Sequence, residues 1–287
     1  QVFARRVRAA PAQFGAIPPR NSLTRLSVAL CRYKGFAEFP MALRPVHDLL
    51  RELQTVTDIP VLVAVDGWNR WHQMSGAREL DDYLERQAFS SHKSSKKLAK
   101  IVREAYPIGV PAMIMKSSTD RLGKSAGYSF HLGTPDDLLR RVASWILTNS
   151  SDSQKVILEL VTILWKRHGR EDVALAALLL ANLDYSRIGV TPWSILASSI
   201  NNSEPIEALL LSIEELFRAK QNVPSDEILI SWCNGRLIES HLALITAYSS
   251  KNSGRELSET IIDVLKDVKV PDGDSLLGRI KDRVVQS

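Results

Sequence analysis

From Asp136 to Val268 one amphipathic helix follows another, and no other feature limits the folds open to this chain as strongly. The segments are Asp136–Leu147, Asp152–His168, Glu171–Leu183, Pro192–Ile200, Pro205–Ala219, Ser225–Trp232, Leu237–Ser249 and Glu256–Val268. Each has a stripe that must be buried against a neighbour. Asp136 follows Thr134-Pro135 and Ser225 follows Pro224, both good helix starts. Short Ser, Asn, Gly and Pro turns separate the segments at the spacing of stacked helix pairs. The expectation for residues 121-287 is a helical-repeat stack.

The region before it reads differently. Ile59-Pro-Val-Leu-Val-Ala-Val-Asp-Gly-Trp-Asn-Arg-Trp71 contains an apolar, β-branched run, Val61 to Val65, that starts after a Pro and stops at Asp66-Gly67. A strand buried on both faces of a parallel sheet has this pattern, and ligands of such sheets sit beyond the carboxyl ends of the strands. Asp66 stands there, either as a site residue or as the cap of the next helix. Met41–Thr57 is expected to be helical, with Leu43, Val46, Leu49, Leu50 and Leu53 on one face. Ala77–Phe89 and Lys97–Tyr106 also read as helices, with a polar, basic linker or loop, Ser90–Lys97, between them. Gly109–Met115 reads as a second buried strand, which completes the rhythm of an α/β unit over residues 41-120.

Residues 1 to 37 contain no Asp or Glu but carry Arg5, Arg6, Arg8, Arg20, Arg25, Arg32 and Lys34. This is the composition of a mitochondrial transit region, of a basic arm lying along phosphates, or of a solvated tail. The first two readings fit the net charge of +5. The 287 residues, 45% hydrophobic and 24% charged, suffice for one large or two ordinary domains with a sizeable core. The two cysteines, Cys31 and Cys233, are far apart, which speaks against a disulfide framework and a cysteine metal site. No apolar run approaches the roughly 18 residues of a membrane span.

Chemical signatures are sparse. Gly123-Lys124-Ser125 matches the end of a phosphate-binding loop, but Ser118 stands where the first glycine should wrap the phosphates. Lys124 and Asp66 are the candidate nucleotide contacts, with Asp66 in the place of a Mg²⁺-holding acid. The six histidines show no H-x-x-x-H or H-E-x-x-H spacing, and no G-x-S-x-G elbow occurs. Trp68 and Trp71, flanking Arg70, either pack a helix onto the sheet or stack on a partner.

Two resemblances follow from these residues. The stretch from Leu50-Arg-Glu-Leu through Trp71, followed by Gly76-Ala-Arg-Glu-Leu80, resembles the death-associated protein family of the mitochondrial small ribosomal subunit. That family is a P-loop ATPase type, and the resemblance places Asp66 at its Walker B acid and Asn69 at the polar residue after it. The family's phosphate loop precedes this strand, where only the basic arm is expected here. Phe130-His-Leu-Gly-Thr-Pro-Asp-Asp-Leu-Leu-Arg-Arg141, Leu164-Trp165 with Arg170-Glu171, and Trp232 through Ile245 are similar to segments of AlkD-type alkylpurine DNA glycosylases. Those enzymes are HEAT-like stacks that hold damaged DNA with tryptophans, an aspartate and arginines. Here Glu239 falls on a family tryptophan, Leu242 on its arginine, and Ser203 and Glu207 on its Trp/Asp pair. A glutamate cannot supply the apolar wall that an extruded base needs.

The fold class expected is therefore α+β, mostly α: a basic arm over 1-40, an incomplete P-loop-like unit over 41-120, and an AlkD-like, HEAT-like repeat domain over 121-287. The function expected is that of a non-catalytic ribosomal small-subunit protein of the mitochondrial matrix. Its partners would be rRNA, met by the basic arm, and neighbouring ribosomal proteins, with no membrane, cofactor or metal. The alternative is a divergent glycosylase or DNA-binding repeat protein using Glu207 and Glu239.

Overall fold

In the computed structural model, which describes residues 76–121 and 127–286, every regular element is a helix. A helix over residues 76–85 (α1) is followed by a 3-10 turn, Phe89–Lys93, then α2 (Ser95–Ala105), α3 (Ala112–Arg121) and α4 (Asp136–Asn149). Next come α5 (Gln154–Arg167), α6 (Arg170–Ala181), the single turn α7 (Tyr185–Ile188), α8 (Pro192–Ser199) and α9 (Ile206–Arg218). The series ends with α10 (Asp226–Cys233), α11 (Leu237–Asn252), α12 (Glu259–Lys266) and α13 (Leu276–Val285). The chain divides into two compact units, Gln1–Asp82 and Tyr83–Ser287. The elements from the 3-10 turn onward belong to the second.

Helix α6 is the hub of that unit. Its sequence, Arg-Glu-Asp-Val-Ala-Leu-Ala-Ala-Leu-Leu-Leu-Ala, is apolar on all sides after the first turn, and each residue but Arg170 is buried. A helix without a polar face must be surrounded. Helices α4, α5 and α9 supply that cover. Helices α4, α6, α9, α11 and α13 pack each on the next as one layer, and α2, α5, α10 and α12 lie in a second layer against it. Successive members of the first layer from α6 onward start at residues 170, 206, 237 and 276, so they are 36, 31 and 39 residues apart. The arrangement is that of a helical repeat domain, mostly α.

Local chemistry fixes the helix ends. Thr191 caps α8 through its hydroxyl, with Pro192 at the first helical position, and Ser94, Ser258 and Ser275 cap α2, α12 and α13. Trp193 of α8 meets Phe217 of α9 edge-on at 5.9 Å and donates Nε1–H to Asn222 O at 2.7 Å.

Two expectations are corrected. Gly109–Met115 is not a strand: Gly109 has φ +77° in a turn, and α3 begins at Ala112. Within the run only Val110 is buried, and Ile114 is 48% exposed. A short apolar run rich in Ala and Met fits a helix as well as a strand, and Pro111 just before it suits a helix start. The supposed linker Ser90–Lys97 is the 3-10 turn and the first turn of α2, with His92 buried against Trp145 at 4.5 Å. The expected strand Val61–Val65 lies outside the described residues. No helix among the described residues is long and apolar enough to cross a membrane.

Candidate functional site

The N-termini of α4, α6 and α9 meet at one edge of the first layer, where charged and aromatic side chains converge. Residues 127–135 form the loop that enters α4. They are pinned to the α5–α6 junction by two backbone hydrogen bonds, Ser129 N–H to His168 O (2.8 Å) and Arg170 N–H to Phe130 O (2.9 Å). The Phe130 ring lies over Gly169 so closely that a Cβ there would sit 2.0 Å from it. Gly169 is required for space, since its φ of −74° suits any residue.

His168 ends α5 in the left-handed region, at φ 58° and ψ 31°. Asn, Asp and His are the non-glycine residues that tolerate it best. Its Nε2 lies 2.6 Å from Glu204 Oε1, and its ring sits 5.8 Å from the Tyr128 ring. Glu204 has no exposed side-chain surface. Its Oε2 accepts from Asn201 N–H at 2.8 Å and from Trp165 Nε1–H at 3.4 Å. This buried carboxylate is thus satisfied on both oxygens, as burial demands.

Beside it, Arg170 bridges three helices. It reaches Asp136 of α4 at 3.2 Å and Glu207 of α9 at 3.3 Å. Burial works against its charge, but the two carboxylates outweigh that and raise its pKa above the ordinary arginine value. Tyr128 is buried at the same edge, with its hydroxyl facing the Glu207 carboxylate. Burial first, and the Glu207 carboxylate second, push its pKa well up, so it stays a neutral phenol at physiological pH.

Behind this edge, the next two residues of α6 are buried acids. Glu171 Oε1 accepts backbone N–H bonds from Leu132 (2.8 Å), Gly133 (2.8 Å) and Thr134 (3.3 Å), which fixes the turn into α4. Asp172 accepts from Tyr106 Oη at 2.8 Å and from Arg167 Nε at 2.7 Å, with a second contact to Arg167 Nη2. Asp172 is used on both oxygens and Glu171 on Oε1, while Glu171 Oε2 is buried without a hydrogen-bond partner among the described residues.

Glu207 and Glu239 were the sequence candidates within the described residues. Glu207 is held by Arg170. Glu239 lies in the first turn of α11, where it closes a capping box: Oε2 accepts Arg236 N–H at 2.8 Å and Oε1 accepts Arg236 Nε at 2.9 Å. Partial burial works against its charge, but the Arg236 amide and guanidinium keep its pKa below the usual carboxylate range. Leu242 is 0% exposed in the core. Asp66, Asn69, Lys124 and the arm residues Arg5, Arg6, Arg8, Arg20, Arg25, Arg32 and Lys34 lie outside the described residues.

The pairing of His168 with Glu204 was not visible in the sequence. The partners are 36 residues apart and no ligand-like spacing joins them. A cleft of about 400 Å³ between α4 and the end of α6 is lined by Arg140, Ser144, Thr148 and Asn182 among others. Arg140, the charged member of that lining, is engaged with Glu215 of α9 at 3.2 Å. Among the described residues no three His, Cys, Asp or Glu side chains could hold a metal together. No family model, curated protein or solved structure matches the chain.

Proposed function

We propose that this chain is a non-catalytic structural component of a ribonucleoprotein: a mitochondrial small-subunit ribosomal protein of the matrix that binds rRNA and neighbouring ribosomal proteins. Its helical unit would be an AlkD-like, HEAT-like stack, preceded by an incomplete P-loop-like α/β unit. The observation that carries this reading is the state of the two acids at the glycosylase-like positions. Glu207 is tied to Arg170 and Glu239 to Arg236, and Leu242 fills the core where that enzyme family has an arginine. A site for excising a base needs a free acid facing an aromatic wall. Here the acids serve to join and cap helices. The acid-free, arginine-rich N-terminus and the Walker B-like strand ending at Asp66 add support at the level of sequence.

The test is co-sedimentation of the full chain with mitochondrial small subunits through a sucrose gradient at moderate salt. Recovery with the particle is expected. A chain that stays at the top of the gradient overturns the reading. Release of alkylated purines from DNA, abolished by Glu207→Ala, would establish the glycosylase alternative in its place.

A further inference from the structure

We propose that the exposed face of α2, with Phe89 before it, is a contact surface for single-stranded RNA. This rests on the ribonucleoprotein reading and names a surface for it. Lys93 ends the 3-10 turn, and on α2 Lys96 and Lys97 are adjacent, with Lys100 three residues after Lys97 and Arg103 three after Lys100. That spacing places them along one side of a helix, over about 10 Å from Lys96 to Arg103 at 1.5 Å per residue. All five are exposed. Among the described residues no carboxylate forms a salt bridge with Lys93, Lys96, Lys97 or Arg103, while Lys100 is 3.9 Å from Glu104. Glu104 is also occupied by Tyr83, whose hydroxyl donates to it at 3.0 Å. Glu159 accepts from Ser95 at 3.0 Å at the start of the helix. The row therefore carries a net positive charge, with the Ser94 hydroxyl between Lys93 and Lys96.

The opposite side of α2 decides between possible partners. Leu98, Ala99, Ile101, Val102 and Ala105 are buried in the core, so the helix keeps no apolar face to sink into a bilayer. Phe89 stands 69% exposed at the head of the lysine row. An exposed ring beside a row of cations suits a strand whose phosphates lie along the lysines and whose unpaired base stacks on the aromatic. In a duplex the bases are already stacked and would leave Phe89 idle.

The experiment is fluorescence-anisotropy titration of the full chain with a labelled 12-nucleotide oligouridine at several salt concentrations. Folding of each variant is checked by circular dichroism. The variant Lys93→Gln/Lys96→Gln/Lys97→Gln/Lys100→Gln is expected to bind at least tenfold more weakly. Its plot of log affinity against log salt should be flatter by about two to three, since each phosphate contact on a single strand contributes roughly 0.7 to the slope. Phe89→Ala is expected to lose roughly tenfold with an unchanged slope, as removal of one stacked base does. Unchanged affinity in either variant overturns the proposal, as does binding to phosphatidylserine vesicles without binding to the oligonucleotide. Co-sedimentation of the same variants with small subunits separates the two readings. A chain that travels with the particle but binds no oligouridine ends this proposal and leaves the ribosomal reading intact, whereas one that does neither ends both.

Discussion

His168 Nε2 lies 2.6 Å from Glu204 Oε1, and this contact joins the end of α5 to the loop before α9 across the buried Trp165. It also holds His168 at φ 58°, a backbone state that costs energy outside glycine. Replacing Glu204 by Ala leaves His168, Asn201 N–H and Trp165 Nε1–H without their acceptor. We expect Glu204→Ala to lose about 3 kcal/mol of unfolding free energy. His168→Asn tolerates the left-handed region but leaves Glu204 short of a partner, and should cost about as much. Because both remove one contact, the double variant should lose little more than either single one. Urea denaturation measures this, and strictly additive losses would show that the two residues do not act as a pair.

Asp172 is the buried acid on which the core depends most. Arg167, whose Nη1 also donates to Ala99 O at 2.8 Å, is half-buried and would lose its counter-charge in Asp172→Ala. The expected loss is about 3–5 kcal/mol, enough to bring many domains near unfolding at room temperature. Tyr106→Phe removes one hydrogen bond to the same carboxylate and should cost only about 1 kcal/mol. A thermal melt that ranks the two variants the other way round would refute this account.

How far the sequence reveals this architecture depends on how local the determining physics is. Pro192 behind Thr191 marks a helix start because capping is settled within a few residues, the Thr191 hydroxyl accepting from Ser194 N–H, whereas Ser225 precedes α10 without a side-chain cap bond. Helices α4 to α6 and α8 to α12 appear in the sequence within a few residues of their true ends, whereas the single turn α7 does not. Helix α13 carries the same signal, with Ser275 as cap and Leu277, Ile280 and Val284 buried, but it is not among the helices read from the sequence, and Gly278 interrupts its pattern. The site is less legible. Arg170 and Glu207 attract notice singly, but nothing local says that Arg170 spans from α4 to α9, because that depends on the stacking order of three helices. The apolar run after Gly109 misleads for the opposite reason: residue type alone does not say whether a short run will be buried.

His92 makes stability depend on pH. Burial lowers its pKa below the ordinary 6.5, while its ring packs on Trp145 and its Nδ1 lies 2.9 Å from Ser150 Oγ. The folded chain therefore resists a proton that the unfolded chain accepts. Its contribution is whole above pH 6.5 and declines as pH falls from there toward the lower folded value. Urea midpoints at pH 7.5, 6.5 and 5.5 should fall more steeply for the native sequence than for His92→Gln. Parallel curves for the two would remove His92 from the explanation.

Gly169→Ala tests the pinning of the loop before α4. The added methyl group would meet the Phe130 ring, forcing it off Gly169 and straining the hydrogen bonds from Ser129 and Arg170. Overpacking of this kind costs about 1–3 kcal/mol. The companion Phe130→Ala makes room and should offset much of the strain in the double variant, though it exposes α6. A thermal melt in which Gly169→Ala matches the native sequence would mean that the ring has freedom to move aside.

Glu239 is the sharpest test of whether the helical unit keeps chemistry at its glycosylase-like positions. Its carboxylate folds over Gly235 and caps α11 through Arg236. Glu239→Ala should destabilise the chain by about 1 kcal/mol at neutral pH, the usual worth of a cap, while Glu239→Gln keeps part of it. The folded pKa of Glu239 is below the ordinary glutamate value of 4.5, so its electrostatic support is present above that pH. It is lost as pH falls through the lower folded value, and the acid limb of the stability curve should flatten in Glu239→Gln. Glu239→Trp restores the aromatic of the resembled enzymes but removes the cap. A less stable chain that releases no alkylated purine is the expected result. Release of purine by this variant would mean that the rest of a base-excision site survives around α11, against the structural role argued for it.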